Sequence, residues 1–130
     1  MSEVKTATMF LSDLPADPST RQYTVHVAEE AIEILSWGLT THTTAVTKAD
    51  TNYTTWTLTN GSSAVGAIAN GPDTAAGSSI ALGVISAGSV DAAYSCLDEG
   101  DVLTLEGVKT GTGLIIAGAI ITIKYRQARN

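Results

Sequence analysis

A single cysteine, Cys96, stands in the chain of 130 residues, so no intramolecular disulfide can form. Its charged sequence neighbours are Asp91, Asp98 and Glu99, and no base stands close by. Cys96 therefore reads as a small buried hydrophobe rather than a reactive thiol. Basic residues are also few: seven lysines and arginines face thirteen acids, for a net charge of −6. Only Lys124, Arg126 and Arg129 cluster, which excludes the basic stripe needed to displace counterions from nucleic acid or to hold an anionic membrane. Charged residues make up 15%, well below the usual quarter or so. Aromatics are 5%, low for a sugar-binding cleft, and Trp37 and Trp56 read as core. The longest apolar run, Leu114 to Ile123, is about half of a bilayer span. Met1 to Leu11 lack the basic start and long apolar run of a secretory signal. The expectation is a soluble protein made in the cytosol.

What is abundant is hydrophobic residues, at 44%, set among threonine, alanine, glycine and serine. A chain of this length buries roughly two-thirds of its unfolded surface and needs no staple. The periodicity is that of strands. Tyr23, Val25 and Val27 alternate with Thr24 and His26. Thr54, Trp56 and Leu58 alternate with Thr55, Thr57 and Thr59, a one-sided strand whose outer face is a threonine ladder. Trp56 and Leu58 are the candidate core anchors. Asn60-Gly61 marks a tight turn, after which Ala64 to Ala69 returns as a short strand. Further strands are expected at Ile80 to Val84, Val90 to Leu97, Val102 to Val108 (Leu103 and Leu105 inward) and Leu114 to Tyr125. Val27, Ala31, Ile34 and Leu35 also fit a helical stripe, so residues 28–36 are open between helix and strand. The strand is favoured, with Glu29-Glu30 as the turn and a bulge between the phases of Ile34 and Leu35.

Eight to nine strands at such spacing argue an all-β fold, a β-sandwich of jelly-roll type, with long connections at Thr40 to Asn52 and Asn70 to Ser79. Residues 21–130 form the sandwich domain. Residues 1–20 are either an N-terminal arm or the first strand. Met9, Phe10 and Leu11 are an apolar triplet that is costly to leave in water, at ~25 cal/mol per Å². They are the candidate interaction arm, able to add a strand to a neighbour's open edge.

No catalytic constellation stands out. His26 and His42 lie apart and read as surface residues, too few for a zinc site, and no nucleophile-elbow or phosphate-loop motif occurs. Gly111-Thr112-Gly113 reads as a hairpin turn. Asp98, Glu99 and Asp101 around Gly100 lack the spaced pattern of a calcium loop and read as a tight turn. The expectation is a protein that is not an enzyme and carries no catalytic residue, metal or cofactor.

Four stretches resemble the small decoration, or cement, proteins on the outside of tailed-bacteriophage capsids. They are Asn52-Tyr53-Thr54-Thr55-Trp56-Thr57-Leu58, Glu99-Gly100-Asp101-Val102-Leu103-Thr104-Leu105, Lys109-Thr110-Gly111-Thr112-Gly113 and Ile121-Thr122-Ile123-Lys124-Tyr125. The likeness runs from about Arg21 to Arg126. It implies a β-sandwich structural protein on the outer surface of the virion, made in the host cytoplasm and bound to the lattice of the major capsid protein. It also implies a homo-oligomer, a trimer in preference to a dimer. Two other classes stay open: a carbohydrate- or host-binding module of a phage fibre, which clustered exposed aromatics would mark, and a small cupin-type enzyme, which needs a histidine-rich metal site.

Overall fold

The computed structural model describes residues 3–15, 22–43, 45–46, 51–60, 63–69 and 80–128. Nine strands are described: β1 (Lys5–Leu14), β2 (Gln22–Val27), β3 (Ile32–Thr41), β4 (Tyr53–Asn60), β5 (Ser63–Ala69), β6 (Ser86–Ala87), β7 (Cys96–Leu97), β8 (Val102–Thr110) and β9 (Ile116–Gln127). They form two antiparallel sheets. Sheet A has the order β1-β9-β3-β6, with β7 also paired to β3, and sheet B the order β2-β8-β4-β5. The pairing is nested: β1 with β9, β2 with β8, β3 with β6 and β7, β4 with β5. That is the order of a long hairpin rolled onto itself, the jelly roll. Apolar residues alternate along the strands, so each sheet has one dry face, and the two dry faces close on each other.

Sheet B supplies Trp56, Leu58, Leu103 and Leu105 to the core, all fully buried, while Thr55 and Thr57 on the other phase of β4 are half exposed. Sheet A supplies Ile32, Ile34, Trp37, Leu39, Ile116, Ile121 and Ile123. Segment 28–36 resolves as bend and strand. Glu29 and Glu30 form the bend, and β3 shifts register between Ile34 and Ser36, so that Ile34 and Trp37 both point inward.

A second bulge sits in β9. Gly118 adopts φ +62°, so Ile116, Ala119, Ile121 and Ile123 are all buried in spite of the phase change between them. Asp13 Oδ1 accepts the Gly118 N–H at 2.9 Å, and the Thr41 hydroxyl donates to the Ala117 carbonyl. The bulge is thus held from β1 on one side and β3 on the other.

Several expectations are corrected. The chain around Ile80, Leu82 and Val84 is not a strand. Ile80 makes a lone bridge to Val46 and Leu82 one to Thr41, and the ladder forms later, at Ser86–Ala87. Val90 to Leu97 is strand only at Cys96–Leu97, because Asp91 to Tyr94 turn, with Asp91 Oδ1 accepting the Ala93 N–H at 2.9 Å. In β2 the register shifts between Thr24 and His26, so Val25 is buried but Val27 is exposed. Gly111-Thr112-Gly113 is not a hairpin turn, since β8 and β9 lie in different sheets. It carries the chain across the sandwich, with Gly111 at φ +66° and Asn52 Oδ1 accepting from Thr112 N–H at 2.9 Å. Asn60 does pair with Ser63, but the turn itself, with the loop 70–79, lies outside the described residues.

The register of β4 sets a test. Trp56→Ala removes a fully buried indole and is expected to lower stability by about 3–5 kcal/mol. Thr57→Ala, on the outer face, should cost under about 1 kcal/mol. Urea unfolding of both variants checks this; equal, small losses would contradict the placement of β4.

Candidate functional site

The candidate arm residues lie on β1, the edge strand of sheet A. Residues 5–14 are the first strand of the chain's own sandwich, paired along their length with β9. Residues opposite each other in a ladder share a face. Phe10 stands opposite Ile120, on the outer face, and is 58% exposed. Met9 stands opposite the buried Ile121, on the inner face, yet is 39% exposed on the edge strand of the sheet. Leu11 packs against the core. β1 breaks register twice, between Phe10 and Ser12 and between Ser12 and Leu14. Such bulges twist an edge away from a straight ladder and discourage a neighbour's strand from pairing there.

Phe10 does not stand alone. Ile120 is paired with it from β9 and with Thr40 from β3, and all three share the outer face of sheet A. On the far side of β3 the pairs Gly38–Ala87 and Leu39–Ser86 lead the register on toward Ile85, which is 53% exposed. A side chain at Gly38 would meet the Ile85 side chain, so Ile85 lies over the same face. Leu82 and Val84 beside it are also more than half exposed. The ring of Phe10 packs on His42, with centroids 4.9 Å apart. Sheet A therefore presents an outer face with an apolar row crossing it.

Sheet B is different. Its outer face carries Thr24 and Thr104 as one pair and Thr57 and Glu106 as another. Val108, opposite Thr55, and the pair Val27–Val102 are its exposed large apolar residues, at either end of the stretch. The two broad faces thus differ in arrangement: sheet A carries large apolar side chains across its strands, whereas on sheet B valines flank a threonine-rich stretch.

The other marked residues are structural. Asp101 Oδ2 accepts from the Asp98 N–H at 2.9 Å and from Asn60 Nδ2 at 3.3 Å, closing the Asp98–Asp101 turn onto the end of β4, with Gly100 at φ +89°. No metal-holding group of three His, Cys, Asp or Glu occurs among the described residues. His42 is exposed, whereas His26 is half-buried: the register shift in β2 brings its ring to 4.9 Å from that of Tyr125, so the surface reading of His26 is corrected. Cys96 is exposed, against expectation. On the two residues of β7 it is Leu97 that turns inward, which leaves Cys96 outside, opposite Glu33. Both tryptophans are buried, so the exposed aromatics among the described residues are Phe10 and Tyr94. In sequence Phe10 is flanked by Met9 and Leu11. Its true companions, Ile120 and Ile85, are remote in sequence and meet only through the ladder.

No family model, curated protein or solved structure matches the chain.

The placement of Cys96 gives a direct check. In the native state a thiol reagent should label one cysteine per chain without denaturant, because the sulfur faces solvent. Labelling that begins only on unfolding would return Cys96 to the core.

Proposed function

We propose that the chain is a structural virion protein that decorates a bacteriophage capsid, binding the outer surface of the major capsid protein lattice without catalysis. The observation that carries this reading is the unlike arrangement of apolar side chains on the two broad faces. An apolar row through Phe10, Ile120 and Ile85 on sheet A is suited to a protein contact, since such residues are enriched at the centres of interfaces. The threonine-rich middle of sheet B, between the exposed Val27–Val102 pair and Val108, is suited to water. A protein held on a lattice needs one of each. The net charge of −6 suits the outside of a particle better than the side that faces nucleic acid. The strand stretches that resemble the decoration proteins form β4, β8 and β9 of the same sandwich.

In this reading the chain acts as several copies around the lattice, with a trimer preferred to a dimer. A fibre-borne carbohydrate module is the weaker reading, because it calls for clustered exposed aromatics and both tryptophans are in the core.

Purified particles of the source phage should carry the chain in many copies, as quantitative mass spectrometry of the particles would report. Purified chain should also rebind particles that lack it. Phe10→Ser combined with Ile85→Ser, both at exposed positions, should leave the fold intact and weaken rebinding by roughly tenfold or more, the equivalent of about 1.4 kcal/mol. Absence of the chain from particles would overturn the proposal.

A further inference from the structure

The mouth of the sandwich next to the β2–β3 bend holds a cleft of about 440 Å³, lined by Lys5, His26, Glu29, Glu30, Ile32 and Tyr125. Both sheets build it. Lys5 on β1 stands directly opposite Tyr125 on β9, so the two share the inner face of sheet A. His26 comes from β2 in sheet B, and its ring packs on Tyr125 with centroids 4.9 Å apart, joining the sheets at the cleft. Ile32, buried, gives an apolar surface. Glu29 and Glu30 line the cleft from the bend between β2 and β3.

The charges of this cleft are arranged and uncommitted. Among the described residues, Lys5, Glu29 and Glu30 take part in no salt bridge, whereas Arg126, next to Tyr125, is already bound to Glu33 at 2.9 Å. β9 separates β1 from β3. Lys5 is level with Ile34 across β9, and the acidic bend stands four to five residues farther along the cleft edge. A cation lies at one side, two carboxylates at the other, with an aromatic ring and an isoleucine between them. The volume falls in the range of small-molecule sites, about 300–1,000 Å³.

We propose that this cleft binds a small zwitterion whose opposite charges are separated by an apolar chain, such as an ω-amino acid. The ligand's carboxylate lies against the Lys5 ammonium and its ammonium against Glu29 and Glu30. Its methylene chain lies along Tyr125 and Ile32. A simple amine would leave Lys5 unpaired against an uncharged end, and a simple acid would leave both glutamates so, which is why both ends are required. This inference is independent of the capsid reading, since it needs no lattice.

The test uses the full chain and ε-aminocaproate as probe, followed by ¹H–¹⁵N correlation spectra and calorimetry, with hexylamine and hexanoate as single-charge controls. The expected result is saturable shifts at Lys5, His26, Glu29 and Tyr125, with an affinity at least roughly tenfold above that of either control. K5Q and the double variant E29Q/E30Q, all at exposed positions, should each lose that advantage while the rest of the spectrum is unchanged. Absence of saturable shifts, equal binding of hexylamine, or full affinity in K5Q would overturn the proposal.

Discussion

The interaction on which the sandwich depends is the seating of Trp37. Its indole N–H donates to the Ser89 carbonyl at 2.8 Å, and its own carbonyl accepts from Gly88 N–H at 2.9 Å. Ser89 and Asp91 in turn donate backbone N–H groups to Ala67 and Val65 of β5, at 3.2 and 2.8 Å. One side chain on sheet A thus fixes the segment that closes onto the edge of sheet B. The approach is possible only because Gly66 and Gly88 carry no side chain. A Cβ at Gly88 would enter the indole ring, and one at Gly66 would strike both the indole nitrogen and the Ser89 carbonyl. The indole N–H of Trp37 is satisfied, whereas that of Trp56 is buried without a partner, and it is Trp37 that joins the two sheets without a disulfide.

With the sheets closed, strand register distributes the remaining chemistry. In β9 the bulge at Gly118 keeps Ala119, Ile121 and Ile123 inside, which turns Ile120 outward to sit between Phe10 and Thr40. In β3 the bulge between Ile34 and Ser36 keeps Trp37 inside. In β2 the shift after Thr24 brings His26 to Tyr125. Three local irregularities, each of about one residue, thereby set which side chains form the core, which form the outer face of sheet A and which line the mouth of the cleft. A one-residue slip in any of them would exchange the faces.

The parts of the fold with strong period-two alternation were legible in the sequence. Trp56 and Leu58 on β4, Leu103 and Leu105 on β8, and the phase change in β3 follow from alternation, because burial of one face imposes it. The segment 80–97 was not legible. Its Ile80, Leu82 and Val84 alternate as a strand does, yet Thr41 and Val46 offer only single bridges there, and the long-range partner decides whether alternation becomes a ladder. Cys96 was misplaced for a related reason: a two-residue strand has no period from which its face can be read. The outer row on sheet A and the cleft were illegible because each joins residues more than twenty positions apart, and only pairing brings them together.

In the proposed capsid role, the sandwich seats itself through the outer face of sheet A. The most direct measurement is a cryo-electron microscopy reconstruction of particles that carry the chain, at a resolution that separates the sheets. The expected result is the Phe10–Ile120–Ile85 face against the capsid shell and the threonine-rich stretch of β4 and β8 toward solvent. Density with sheet B against the shell, or particles with no such domain on their surface, would contradict it.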